Sequence, residues 1–347
     1  MSYIAGKIIL QRTSERDKAV KIFAEVRSRS FSRCITADEI GFLPMNHLLI
    51  VFICLLLTAS CAVAEPPATG PVADPLEALE ARTLYYPRAY DQADIDSFIH
   101  AGGTRLDYKT AQGNQTAWLI TPARNAKVER LWVVCGGNGV LALEMARFCN
   151  QTGLKSDAFV LVDYPGYGCC EGYSSPQSIR ENVKASVLAA GKKVEIDPEK
   201  NPELVCGFGH SLGCAAALMA VEEFHLKSAV LCSPFTSTHE MAELRTGLAK
   251  DAPFAHQFDN RLGLKELEKN GGTCWIIHGA DDRIIPVSMS KTLAEEFKEV
   301  VKLTVIPDAG HNDIFYAAKK EIADAMTAAR KGKSDRPASN VQLRTSK

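Results

Sequence analysis

The chain lacks an excess of charge of either sign. Lys and Arg number 40 against 41 Asp and Glu, a net charge of −1 over 347 residues. With no basic field to gather polyanions, the composition gives no ground for a nucleic-acid partner. Internal repeats are also missing, which argues against a solenoid. None of the 11 cysteines forms a CxxC pair, so the spacing of a zinc site is absent. The chain also lacks the several long apolar runs of a multi-spanning membrane protein. Hydrophobic residues make up 46% and charged residues 23%, the proportions of a folded globular chain rather than a disordered one.

The most apolar stretch is 48–64, LLIVFICLLLTASCAVA. It follows Met45 and ends in Ala62-Val63-Ala64, before Glu65-Pro66-Pro67. An apolar core closed by A-x-A reads as a secretory signal peptide cleaved after Ala64. The expected location is therefore periplasmic or secreted. The alternative is a membrane anchor formed by 48–64, which would be the chain's only membrane contact. Because an export signal belongs at the start of a protein, Met45 is the expected initiator and 1–44 an upstream segment outside the native product. Residues 65–80, rich in Pro and Ala, read as a linker, 81–331 as the folded domain and 332–347 as a polar tail.

Within the domain, apolar runs at Ala117–Ile120, Leu131–Cys135, Phe159–Val162, Leu204–Phe208, Ala229–Cys232, Cys274–Ile277 and Leu303–Ile306 read as strands. Helical patterns near 141–152, 177–191, 212–224, 288–299 and 315–330 separate them. Short apolar strands alternating with helices imply an α/β fold, with a mostly parallel central sheet and helices on both faces. Cys135, Cys206, Cys232 and Cys274 lie inside these runs and read as small buried hydrophobes. Only 235–272 is free to form a lid, which is too short for a large cap domain. A site beneath so short a segment should be open.

The chemistry centres on Gly207-Phe208-Gly209-His210-Ser211-Leu212-Gly213-Cys214-Ala215. Gly-x-Ser-x-Gly between an apolar strand and an Ala-rich helix is the setting of a nucleophile elbow. A sharp turn there exposes the hydroxyl, and the helix N-terminus aims N–H groups at the reacting oxygen. A serine hydroxyl needs a base, and the base needs an orienting carboxylate. Downstream, a strand precedes Asp281-Asp282 and another precedes Gly310-His311-Asn312-Asp313. His311 is the expected base. Position alone leaves Asp281, Asp282 and Asp313 open as the acid. The N–H of Leu212 is one expected oxyanion donor, and the loop after Leu131–Cys135 should supply the other. Nothing in this chemistry calls for a metal or an organic cofactor.

Four stretches give the chain a resemblance to the α/β-hydrolase superfamily over residues 81–331. They are Gly136-Gly137-Asn138-Gly139, Asp163-Tyr164-Pro165-Gly166-Tyr167-Gly168, the elbow at Ser211, and His278-Gly279-x-x-Asp282 with Gly310-His311. The second stretch, with Ser233-Pro234-Phe235, is similar to a lidless branch that includes membrane-associated hydrolases and protein depalmitoylases. The resemblance implies an α/β-hydrolase fold and a Ser211, Asp282, His311 triad, since His-Gly-x-x-Asp puts the acid four residues after the histidine. It implies Asn138 as the second oxyanion donor, although this chain has Gly136 where relatives carry histidine. The implied activity is hydrolysis of carboxylic esters or thioesters of a small-molecule or acylated substrate. A peptidase or amidase, and a non-catalytic binding protein on the same scaffold, are the alternatives. Tyr167 and Phe235 are candidate pocket residues. At the N-terminus, Edman sequencing of the protein from its own cell should begin at Glu65, and peptides from 1–44 would contradict a start at Met45.

Overall fold

The computed structural model describes residues 80–81, 84–123, 126–247 and 255–332, and the backbone of 341–343. The expected signal peptide, upstream segment, nearly all of the linker and most of the tail lie outside the described residues. Among the described residues nine strands form one sheet: β1 (Thr104–Thr110), β2 (Gly113–Ile120), β3 (Arg130–Cys135), β4 (Asp157–Val162), β5 (Val205–His210), β6 (Ser228–Cys232), β7 (Thr273–Gly279), β8 (Val301–Ile306) and the short β9 (Val341–Leu343). Their order is β1-β2-β4-β3-β5-β6-β7-β8-β9. Strands β3 to β9 run parallel, while the β1–β2 hairpin is antiparallel to itself and to β4.

The central strands are buried along their whole length, as strands covered on both sides must be. Side-chain alternation then divides the core in two. Leu131, Val133 and Cys135 of β3 face one layer, with the helices α3 (Pro176–Val194), α4 (Leu212–Phe224), α6 (Asn260–Lys269) and α7 (Val287–Glu296). Trp132 and Val134 face the other, with α1 (Gln92–His100), α2 (Ala146–Gln151) and α9 (Lys319–Lys331). Met241 of α5 (Thr238–Thr246) packs against the first layer, and Ile314 of the short α8 (Ile314–Ala317) belongs to the second. The four cysteines expected in the core are fully buried. Burial pushes the Cys206 thiol up to about 12, so it stays a neutral apolar group.

All seven expected strand runs are strands. The hairpin strand β1, with sequence TRLDYKT, carries too few apolar residues to read as one. It lies at the sheet edge, with alternate residues half-buried or exposed, so a polar sequence suffices there. Helices α5 and α6 lie within 235–272, and no large cap domain is present among the described residues.

At the centre of the sheet, α4 presses its first turn against the end of β3. A methyl group on Gly213 would collide with the carbonyl groups of Cys135 and Gly136, and one on Gly209 would strike the backbone of Gly213 and Cys214. These two glycines are therefore fixed by backbone contact. Overpacking of this kind typically costs about 1–3 kcal/mol. We expect Gly213→Ala to lower Tm by about 3–10 °C in thermal denaturation. An unchanged Tm would contradict the close contact.

Candidate active site

The site gathers where parallel strands end, at the carboxyl edge of the sheet. Strand β5 runs to His210 and α4 begins at Leu212, so a single residue makes the turn between them. That residue, Ser211, has φ 56° and ψ −122°. A β-carbon is crowded in this region, and such a residue persists only when its surroundings hold it. Here its N–H donates to the Cys232 carbonyl (3.0 Å), and its own carbonyl accepts from Cys214 N–H (3.0 Å). The turn leaves the Ser211 side chain partly exposed at the helix N-terminus.

The acid and the imidazole come from the loops after β7 and β8. His311 Nδ1 lies 2.7 Å from Asp282 Oδ2, and both side chains are buried. Asp282 Oδ1 accepts from the N–H groups of Ile284 (2.9 Å) and Ile285 (2.8 Å). His278 Nε2 lies 3.2 Å from the same Asp282 oxygen that meets His311, and 2.8 Å from the Ile285 carbonyl. Burial alone would raise the Asp282 carboxyl. The hydrogen bonds from His278, His311 and Ile285 outweigh it and hold the group far below the usual carboxylate range. Asp282 is thus ionised at any working pH, with Nδ1 of His311 as the donor and Nε2 left for other chemistry.

His210 and His311 connect the two halves. Their rings are 4.9 Å apart, and His210 Nε2 lies 3.1 Å from the His311 carbonyl. Burial, reinforced by the neighbouring His311 ring, pushes His210 down to about 4. A neutral His210 donates from Nε2 and anchors the His311 loop beside the elbow. On the opposite side runs the loop after β3. A β-carbon on Gly137 would stand 3.3 Å from the Ser211 Cβ and 3.0 Å from His210 Nδ1. Among the described residues, no acceptor takes the backbone N–H of Leu212 or Asn138.

The remaining candidates occupy different positions. Asp281 is exposed. Asp313 precedes α8, but its carboxylate accepts from Gly310 N–H (2.7 Å) and so braces the His311 loop instead of capping the helix. Tyr167 and Phe235 are only 1% and 4% exposed, and the Tyr167 hydroxyl donates to Asn138 Oδ1 (2.7 Å). Sequence reasoning passed over Asp163, a fully buried carboxylate that accepts from Tyr90 Oη (2.7 Å), Trp118 Nε1 (3.0 Å) and Ala142 N–H (2.8 Å). Burial pushes it up to about 6, against the pull of those three donors. It ties β2, the β4 exit and the loop after β3 into one unit. Its place at the head of the Asp-Tyr-Pro-Gly-Tyr-Gly stretch, directly after a buried strand, was the available signal.

No protein-family model matches the chain. It is similar to Uncharacterized protein Rv2307c of Mycobacterium tuberculosis, at 26% identity over 67% of this chain and 81% of the relative. It is also similar to the Caenorhabditis elegans alpha/beta hydrolase domain-containing protein aho-3, at 25% identity over 72% of this chain and 70% of that one. Among solved structures, an alpha-beta hydrolase from Vibrio vulnificus aligns at TM-score 0.58 and 19% identity, covering 76% of this chain and 98% of its own. The Pyrococcus furiosus esterase Pf2001 aligns at TM-score 0.52 and 16% identity, covering 71% and 95%. Parallel strands in this sheet order, with these structural neighbours, give the chain the α/β-hydrolase fold, and it is similar in sequence to a protein named for that domain.

Proposed function

We propose that the protein is a serine hydrolase that cleaves carboxylic esters or thioesters through an acyl-enzyme. The observation that carries this reading is the buried Asp282–His311 pair, 2.7 Å apart, on the same sheet edge as the strained Ser211. Ser211 Oγ attacks the substrate carbonyl, and Nε2 of His311 takes its proton. The imidazolium then returns that proton to the departing alcohol or thiol. Water enters, His311 takes its proton, and hydroxide attack releases the acid and restores Ser211. Asp282 keeps His311 in the Nδ1–H tautomer and offsets its charge when doubly protonated. The oxyanion is met by the N–H of Leu212, aided by the helix N-terminus, and by the N–H of Asn138. Each such donor can lower the barrier by about 3–4 kcal/mol.

The substrate is an acylated small molecule or group, and the apolar segment 48–64 would deliver the enzyme across a membrane or anchor it there. A panel of esters, thioesters and aminoacyl amides of graded acyl length, run on purified protein, tests the bond and the acyl preference. Faster turnover of short esters supports the reading. Cleavage confined to amides would replace it with a peptidase or amidase.

Two sets of variants test the residues. A fluorophosphonate should label Ser211 alone, and Ser211→Ala should lose labelling and turnover while keeping its circular dichroism spectrum. Label on any other serine in the wild type would overturn the assignment. Asp282→Asn should reduce turnover on the order of 10⁴-fold by favouring the wrong imidazole tautomer. Asp281→Asn and Asp313→Asn should keep most activity, because the first side chain is exposed and the second retains its acceptor oxygen. Three active variants would dismantle the triad.

A further inference from the structure

The loop that carries Asn138 is not held by its own backbone alone. A segment ahead of the first strand crosses it and fastens it at several points. Asn138 Nδ2 donates to the Leu84 carbonyl. Its Oδ1 accepts from Tyr86 N–H (3.1 Å) and from the Tyr167 hydroxyl (2.7 Å). The Tyr86 N–H also reaches the Tyr167 oxygen (2.9 Å), so three groups close a small ring around one amide. The amide orientation follows from its partners: a flipped side chain would put its NH2 against the Tyr86 N–H and its oxygen against the Leu84 carbonyl. Next along, Arg88 Nη1 donates to the Gly139 carbonyl (3.0 Å) and meets Glu144 Oε1 (2.9 Å), while the Arg88 carbonyl accepts from Gly168 N–H (2.7 Å). Tyr90 Oη then accepts from Leu143 N–H (3.0 Å) and donates to Asp163.

Every one of these bonds ends on the loop after β3, on the Tyr167 turn or on Asp163. The segment 84–90 forms no regular strand or helix beyond Leu84. Tyr85 turns its hydroxyl to His256 (3.1 Å), while Leu84, Tyr86, Arg88 and Tyr90 direct the groups named above at the neighbouring loop. Buried Tyr167 is the pivot, because its single hydroxyl serves both the segment and the Asn138 amide.

We propose that residues 84–90 are a strap that sets the oxyanion loop, and that Tyr167 and the Asn138 side chain are its positioning residues. This rests on the serine hydrolase reading, with the Asn138 N–H as a donor to the oxyanion. Tyr167 acts through Asn138 and does not touch substrate. A loop shifted by a fraction of an ångström still admits the substrate but meets the transition state less well. The strap therefore bears on the chemical step more than on binding.

The test uses fluorophosphonate labelling, which needs no knowledge of the substrate. Ser211 Oγ displaces fluoride from phosphorus through an oxyanion-bearing transition state. The maximal labelling rate and the half-saturating probe concentration are measured for wild type, Tyr167→Phe, Asn138→Ala, the double variant and Arg88→Ala, with Tm for each. We expect Tyr167→Phe to lower the maximal rate roughly tenfold, with half-saturation within about twofold of wild type. Asn138→Ala should fall at least as far. The double variant should match Asn138→Ala alone, since the hydroxyl has nothing to position once the amide is gone. Arg88→Ala, altering an exposed pair, should slow labelling less than Tyr167→Phe. An unchanged rate in Tyr167→Phe overturns the strap. So does a double variant whose loss is the product of the two single losses, and so does a rate loss that tracks a fall in Tm across the series. Absence of Ser211 labelling in the wild type is a separate failure, because it removes the hydrolase reading itself.

Discussion

The backbone of Ser211 is the constraint around which the molecule is arranged. A non-glycine residue at φ 56° and ψ −122° costs on the order of 1–3 kcal/mol, and the surroundings must over-determine it. They do so with backbone alone. Strand β6 takes the Ser211 N–H, the first turn of α4 takes its carbonyl, and Gly213 lets that turn close on the Cys135 carbonyl. Small residues follow for the same reason. Helix α4 continues Cys214-Ala215-Ala216-Ala217, all buried against the sheet, because it must lie close to β3 and β5 to keep the elbow tight. The strain aims a hydroxyl outward at a helix N-terminus.

Two buried carboxylates support this arrangement, and their environments push them in opposite directions. Asp282 is driven down because two imidazoles and two backbone N–H groups converge on it. Asp163 is pushed up to about 6 because its complete burial outweighs the three neutral donors that pull it down. The first fixes an imidazole, and the second fixes the loop across the site from it. Both meet donors at each oxygen, which suits carboxylates that accept only. His278 shares the Asp282 oxygen with His311 and holds the Ile285 carbonyl, so it clamps the Asp282 loop.

The sheet and the elbow were legible because their signals are local. Apolar runs at Leu131–Cys135 and Phe159–Val162 are buried on both faces, so burial shows directly as composition. The Gly-x-Ser-x-Gly stretch is legible because close backbone packing forces glycine at fixed offsets. Position alone did not separate Asp281 from Asp282, which differ by one residue and by whether they point into the protein. The His-Gly-x-x-Asp spacing favoured Asp282, and burial agrees, since Asp281 is exposed and Asp282 is buried. The β1–β2 hairpin and residues 84–90 were not legible. The first is a half-exposed edge that needs few apolar residues. The second works through main-chain carbonyl and N–H groups, which any sequence carries, and through the Arg88 and Tyr90 side chains, whose partners lie far along the chain. Tyr167 was a candidate pocket residue, and its bonds to Asn138 and Tyr86 were not legible, because aromatic rings at strand ends look alike until their hydroxyls find partners.

The proposed chemistry requires Ser211 as nucleophile, with the Leu212 and Asn138 N–H groups facing the oxygen that becomes charged. A crystal structure of the fluorophosphonate-treated protein tests both at once. Phosphorus should be bonded to Ser211 Oγ, with one phosphonyl oxygen about 2.7–3.1 Å from each of the two backbone nitrogens. Phosphorus on any other side chain, or an oxygen that meets neither N–H, would contradict it.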